Sequence, residues 1–291
     1  MIDAHFHIWR QADLPWLSGP MVPRIFGPYQ PIRRDYPVAE YLRDIDGSGV
    51  RAAVYVQANW APEAAEAEVA WVEGVANATG WPQGIVGFAD MTVPDVRPAL
   101  DRLARHPRMR GIRQQLHWHA NPFYRFAARP DLVRDPAVQR NVAHLADYGW
   151  MFELQVFDDQ MPAAGDLVDA CPGVTFVLVH AGMLEDLSQE GRDRWRSHLA
   201  ALARRRNVVA KLSGFGTFLR RNDPSHVGWM ISETVLAFGA ERCLFGSNFP
   251  IEKLWTSYAD LVEAFRRGAG GLAQGEREAV FEATARRIYR L

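Results

Sequence analysis

Short apolar, β-branched runs recur along the chain, and a stretch with helical spacing follows each of them. Eight such runs occupy residues 2–8, 52–57, 84–90, 111–116, 151–156, 174–180, 208–213 and 243–247. They are continuous rather than alternating, which is the pattern of parallel strands covered on both faces. The helical stretches fall at 38–46, 62–77, 96–105, 137–148, 163–170, 192–205 and 227–238, with 258–267 and 276–287 after the last run. Gly49, Gly80, Gly149 and Gly239 stand where four helices should stop. Strand and helix repeated eight times close most economically into a (β/α)8 TIM barrel of the α/β class, one domain over residues 1–291. An open doubly wound sheet normally has fewer strands and carries a glycine-rich phosphate loop after the first. Here the first run ends in His5, His7 and Trp9 instead.

Composition narrows the partners. With 48% hydrophobic and 23% charged residues the chain can bury a full core. Lys+Arg of 33 against Asp+Glu of 34 gives a net charge of -1, and the one basic cluster, Arg204 to Arg206, falls in a helix-to-strand connection. Nucleic acid is therefore not expected, because phosphate binding needs a clustered positive field. No apolar run approaches the roughly 20 residues that span a bilayer, and the opening residues lack a secretory pattern. Cys171 and Cys243 are expected to pack as small apolar groups without a disulfide framework. The expectation is a cytoplasmic protein acting on a small molecule, with homo-oligomerisation left open.

Two connections are long and rich in proline and aromatic residues, 10–36 and 118–135. Both follow strands, so both should lie over the C-terminal mouth, where barrel active sites are built. In His5-Phe6-His7 the strand alternation puts both imidazoles on one face. If that face is the barrel interior, two nitrogen donors converge at the mouth; a packed structural pair is the alternative. His180 ends the sixth run, Lys211 lies near the end of the seventh, and Asn248 follows the eighth. Gln57 with Trp60, Asp90, Arg113 with His117 and His119, and Glu153 with Gln155 are further groups at strand ends. Arg113 suits a carboxylate or carbonyl oxygen. Trp9 and Trp60 could stack on a sugar ring or simply pack. His117 and His119 read as a substrate wall, and His106, His144, His198 and His226 as surface histidines on the outer helices.

Asp3-Ala4-His5-Phe6-His7, Val179-His180-Ala181-Gly182, Lys211-Leu212-Ser213-Gly214 and Phe245-Gly246-Ser247-Asn248-Phe249-Pro250 together resemble the amidohydrolase superfamily. Within it they are similar to the branch of TIM-barrel hydrolases that includes sugar lactonases and 2-pyrone-4,6-dicarboxylate lactonase. The resemblance covers essentially the whole chain, in order. It implies a divalent metal, usually zinc, near the histidine pair, and hydrolysis of a lactone or related carbonyl bond; some members of the branch work without a metal. His5 and His7 would then be ligands or carbonyl-polarising groups, and His180 a third ligand or a proton-transfer group. Arg113, His117, His119, Gln155, Lys211, Trp9 and Trp60 would surround the substrate.

One residue departs from the pattern. Most of the superfamily carries an aspartate where this chain has Asn248. A carboxamide cannot take a proton at neutral pH and is a poorer zinc ligand, so the metal should be held more weakly. The base should come from His180 or, second, Glu153. The competing functions are a metal-dependent decarboxylase, against which Asn248 counts, and a binding protein that has lost its base.

Overall fold

In the computed structural model, which describes residues 1–291, the strands are β1 Ile2–Phe6, β2 Ala52–Val56, β3 Gly84–Gly87, β4 Met109–Gln115, β5 Met151–Gln155, β6 Phe176–Leu178, β7 Val208–Leu212 and β8 Cys243–Phe245. Neighbours pair in parallel in sequence order. The ring closes just past β8, where Asn248 N donates to His5 O at 2.7 Å and His7 N to Phe249 O at 2.8 Å. The architecture is the (β/α)8 barrel expected from the eight runs, with a helix after every strand.

The strands stop earlier than the apolar runs do. β3 ends at Gly87 and β6 at Leu178, because apolar character continues into residues that cap the barrel without pairing. The stretch expected as one helix over 276–287 is Gln274–Glu278, a π-helical turn Ala279–Ala283, and Thr284–Tyr289. Periodicity cannot reveal that one-residue slip in hydrogen bonding. Gly80 and Gly149 do terminate helical segments, with φ of 79° and 62°, a left-handed conformation that glycine adopts without steric cost.

Two layers of core follow from strand alternation. An outer layer fills the space between strands and helices. An inner cluster fills the barrel, with Val54, Val56, Val86, Val177, Val209 and Leu244 among its members; full burial of each such side chain is worth roughly 1.5–3 kcal/mol. Ala285 and Tyr289 of the last helical segment belong to this inner cluster, so that segment plugs the barrel opposite the mouth. No helix is long and apolar enough to cross a membrane, and both cysteines are buried and free.

β1 carries an irregularity that matters for the site. Asp3 pairs with Ala53, but Phe6 pairs with Tyr55, so three steps in β1 face two in β2. Such a bulge re-aims side chains next to it. Ala4 belongs to the inner cluster, yet the adjacent His5 also turns inward, towards Lys211 and Glu153.

Candidate active site

Asp3 ties the first strand to the last. It is fully buried; its Oδ1 accepts from His5 N at 3.1 Å and Ser247 N at 2.8 Å. Its Oδ2 accepts from Ser247 Oγ at 2.6 Å, Tyr41 Oη at 2.9 Å and Tyr258 Oη at 3.0 Å. Burial raises its pKa, and the hydrogen bonds work against that rise. With β1 and β8 so held, the His5 ring lies 5.1 Å from that of His7 and 4.9 Å from that of His180.

His180 arrives by an unusual backbone path. It follows β6 in a turn where His180, Ala181, Gly182 and Met183 all have positive φ, 55° at His180 itself. Asn248 is also left-handed, at 57°. Such conformations cost on the order of 1–3 kcal/mol each and cluster at functional sites. Asparagine is among the few residues that tolerate this region. Gly214 makes room for the turn: a Cβ there would stand 2.6 Å from His180 Nδ1.

All three histidines are neutral at physiological pH. Burial pushes His5 and His180 well below the usual imidazole range, and the cations Lys211 and Arg113 push further in the same direction. His7 is lowered to about 3 by burial and then by Arg113. Its tautomer follows from geometry: Nδ1 lies 2.7 Å from Val56 O, a pure acceptor, so Nδ1 carries the proton and Nε2 keeps its lone pair. His180 Nδ1 faces Ser213 Oγ at 2.8 Å. Beneath them Lys211 Nζ donates to Glu153 Oε1 at 2.5 Å, which also accepts from Tyr289 Oη at 2.6 Å. Burial lowers Lys211 to about 8 despite that carboxylate. His5 Nδ1 lies 3.4 Å from Lys211 Nζ and 3.9 Å from Glu153 Oε2, and its buried Nε2 has no partner.

Above this floor opens a pocket of about 1050 Å³, counting its open mouth. His7, Trp9, Arg113, His117, Gln155, His180 and Asn248 line it, as the strand-end reading expects. Arg113 donates to Gln57 O and to Gln155 Oε1 at 3.3 Å, while its buried Nε has no partner. Burial brings its pKa down to about 10, which leaves it cationic.

Three expected substrate contacts are corrected. Lys211 lies under the floor, paired with Glu153, and not on the pocket surface. His119 sits behind the wall, accepting from Asn121 N at 3.0 Å, with its ring tilted against Phe157 at 5.3 Å between centroids. Trp60 packs away from the pocket, its ring 5.9 Å from that of Trp71 and 5.8 Å from the Arg10 guanidinium. Conversely His226, expected on the surface, is half-buried and lines the pocket. His5 is fully buried just below the lining residues.

Several contributors escaped the strand-end reading. Arg24 and Phe26 from one long loop, and Phe123 to Phe126 from the other, form the upper wall; the aromatic loops were legible, but not which residues turn inward. Glu252 is buried behind Asn248, accepting from Trp255 Nε1 at 2.7 Å. Burial pushes its carboxyl up to about 8. Its position four residues after the strand-eight asparagine was the available signal.

A sequence model described as amidohydrolase matches residues 2–291. The protein y4mH of Sinorhizobium fredii is 33% identical over 293 residues, covering 100% of this chain and 98% of its own. An L-fucono-1,5-lactonase of Burkholderia multivorans is 30% identical over 306 residues, covering 100% and 96%. A crystal structure of an amidohydrolase from Burkholderia multivorans with bound zinc superposes with a TM-score of 0.83 at 29% identity, covering 100% of this chain and 99% of that one.

Proposed function

The chain belongs to the amidohydrolase family, and from that membership we propose that it is a hydrolase that opens lactones by attack of an activated water. The observation that carries this is the meeting of two neutral imidazoles, His7 and His180, with the Arg113 guanidinium and the Asn248 amide in one pocket. Similarity to two proteins named L-fucono-1,5-lactonase, over 100% of this chain in one and 89% in the other, supports the lactone.

The chain's own groups suffice for each proton and charge movement. The lactone carbonyl oxygen lies against Arg113, whose unpartnered Nε–H and fixed positive charge stabilise the oxyanion as it develops. A water held by the Asn248 amide attacks the carbonyl carbon. Its proton goes to His180 Nε2, the nitrogen left free by Ser213. The imidazolium so formed is next to the oxyanion, which offsets the cost of a new cation beside Arg113. Collapse breaks the ring C–O bond, and His180 returns the proton to the leaving oxygen, giving a hydroxy acid. At neutral pH that acid ionises and releases one proton to solvent.

No group of three or more His, Cys, Asp or Glu side chains is arranged to hold a metal ion. The donor chemistry nevertheless fits a divalent ion. His5 Nε2 is buried and unpartnered, His7 Nε2 has a lone pair, and all three rings are neutral. His5 and His7 would hold it, with Glu153 behind His5, while His180 Nε2 stays free for the proton. Zinc, as in the Burkholderia multivorans neighbour, is the proposed identity. When bound, the ion supplies Lewis-acid polarisation of the lactone carbonyl. Without a carboxylate at Asn248 the ligand set is all nitrogen, and binding is correspondingly weaker than in a relative with aspartate.

The test is a screen of sugar and carboxylated lactones in weak buffer with a pH indicator, alongside metal analysis of the purified protein. Proton release that scales with protein concentration is expected. Carbon dioxide from aromatic carboxylic acids without lactone opening would sink the reading in favour of a decarboxylase.

A further inference from the structure

The side-chain charges on the pocket surface are of one sign. Arg113 at the floor and Arg24 and Arg125 on the two long loops line it, and no Asp or Glu side chain does. None of the three guanidinium groups has a carboxylate within hydrogen-bond reach. Arg24 stacks over Trp16 at 5.2 Å and its buried Nε has no partner. Arg125 lies 5.3 Å over Trp118 and donates to Ala120 O at 3.1 Å. A guanidinium stacked on an indole keeps its N–H edge free for a bidentate carboxylate. Two cations at the rim therefore face the pocket with their charge unspent.

Aromatic side chains make up much of the wall between rim and floor. Phe26, Phe123, Tyr124, Phe126 and Phe218 line it, and Phe123 and Phe126 are 53% and 47% exposed. Large apolar side chains left open around a pocket mouth mark a surface that a ligand covers. A neutral polyol fits this poorly: most of its hydroxyls would be desolvated against phenylalanine rings, and the rim cations would stay unpaired.

We propose that the pocket selects lactones that carry a carboxylate on an apolar, ring-bearing body, rather than neutral sugar lactones. The reacting carbonyl lies at His7, His180 and Arg113, the body between the aromatic side chains, and the carboxylate at Arg24 and Arg125. The reacting end rests on the hydrolase reading above; the anion selection rests on the rim alone.

The experiment compares 3,4-dihydrocoumarin-6-carboxylate, its uncharged 6-carboxamide and glucono-1,5-lactone as substrates. Wild-type protein should favour the carboxylate over the carboxamide by about 10- to 100-fold in kcat/KM, the range set by one or two charge-assisted hydrogen bonds. The preference should shrink with added salt. In the Arg24→Met/Arg125→Met double variant the ratio should fall to near one, with circular dichroism melting reporting that the fold is intact. A wild-type preference for glucono-1,5-lactone, or a ratio unchanged in the double variant, overturns the proposal. If no lactone is opened, calorimetric binding of the 6-carboxylate that is lost in the double variant upholds the pocket's selectivity and refutes the hydrolase reading instead.

Discussion

The floor and the rim of the pocket are built to different rules. On the floor, Asp3, His5, His7, Arg113, Glu153 and Lys211 are each 5% exposed or less, sit on or beside strands, and are each fixed by hydrogen bonds to buried partners. At the rim, Arg24, Phe123, Arg125 and Phe126 sit on loops, half-buried to exposed, with few fixed partners. A group that must shift charge in a low-dielectric place is useful only if it is already aimed. A surface that must accept a body of some size tolerates movement. On the proposed reading, the reaction is written in the floor and the choice of substrate in the rim.

The sharpest way to break this division is to loosen the floor. Asp3→Ala leaves the hydroxyls of Ser247, Tyr41 and Tyr258 without their buried acceptor. The expected loss is roughly 3–5 kcal/mol of stability, measured by urea unfolding; a loss near zero would mean that β1 and β8 are held by their backbone alone. Next in size is His180→Asn. Asparagine tolerates the left-handed backbone at this position, so the fold should survive while kcat falls by about 10³-fold, within the span assigned to a positioned acid–base group. If Asn248→Ala proves the more damaging change, the amide rather than the imidazole governs the water. A rim change should behave otherwise: Phe126→Ala should raise KM about 3- to 10-fold for an aromatic lactone, through lost burial, with kcat and the melting temperature nearly unchanged.

A pH-dependent test concerns Glu252. Its folded carboxyl is pushed up to about 8, from a usual value of 4.5, mainly by burial. Folding therefore favours its protonated form: the contribution is fully present below pH 4.5 and is lost as pH rises through about 8. Glu252→Gln should melt close to wild type at pH 5 and above it at pH 9. Parallel melting curves at the two pH values would show that the carboxyl reaches water.

The floor was legible because barrel sites gather at strand ends and because residues two apart share a face. His5 and His7 two residues apart, and His180, Lys211 and Asn248 at or just past other strand ends, could be placed around one mouth without any contact being known. The bulge in β1 was not legible, since one additional residue leaves no mark on an apolar run. Nor was the burial of Lys211 beneath the surface rather than on it, which depends on Glu153 and Tyr289 arriving from elsewhere. Trp60 and His119 were misplaced for a related reason: they lie past the strand ends, where the pleat no longer dictates direction. The rim loops announced themselves through proline and aromatic content, but their inward-facing residues are set by loop closure, to which periodicity is blind.

The bond between Asp3 and Ser247 joins residues 244 apart, and that between Tyr289 and Glu153 joins residues 136 apart. Contacts so distant must repay the entropy of closing nearly the whole chain before they stabilise anything. Helices and neighbouring strand pairs, which are local, can form first. The proposed catalytic floor is thus also the seam of the barrel, and it is expected to assemble last. On refolding from denaturant, helical circular dichroism should recover ahead of enzymatic activity, and a partly folded chain would carry every catalytic residue while owning no catalyst.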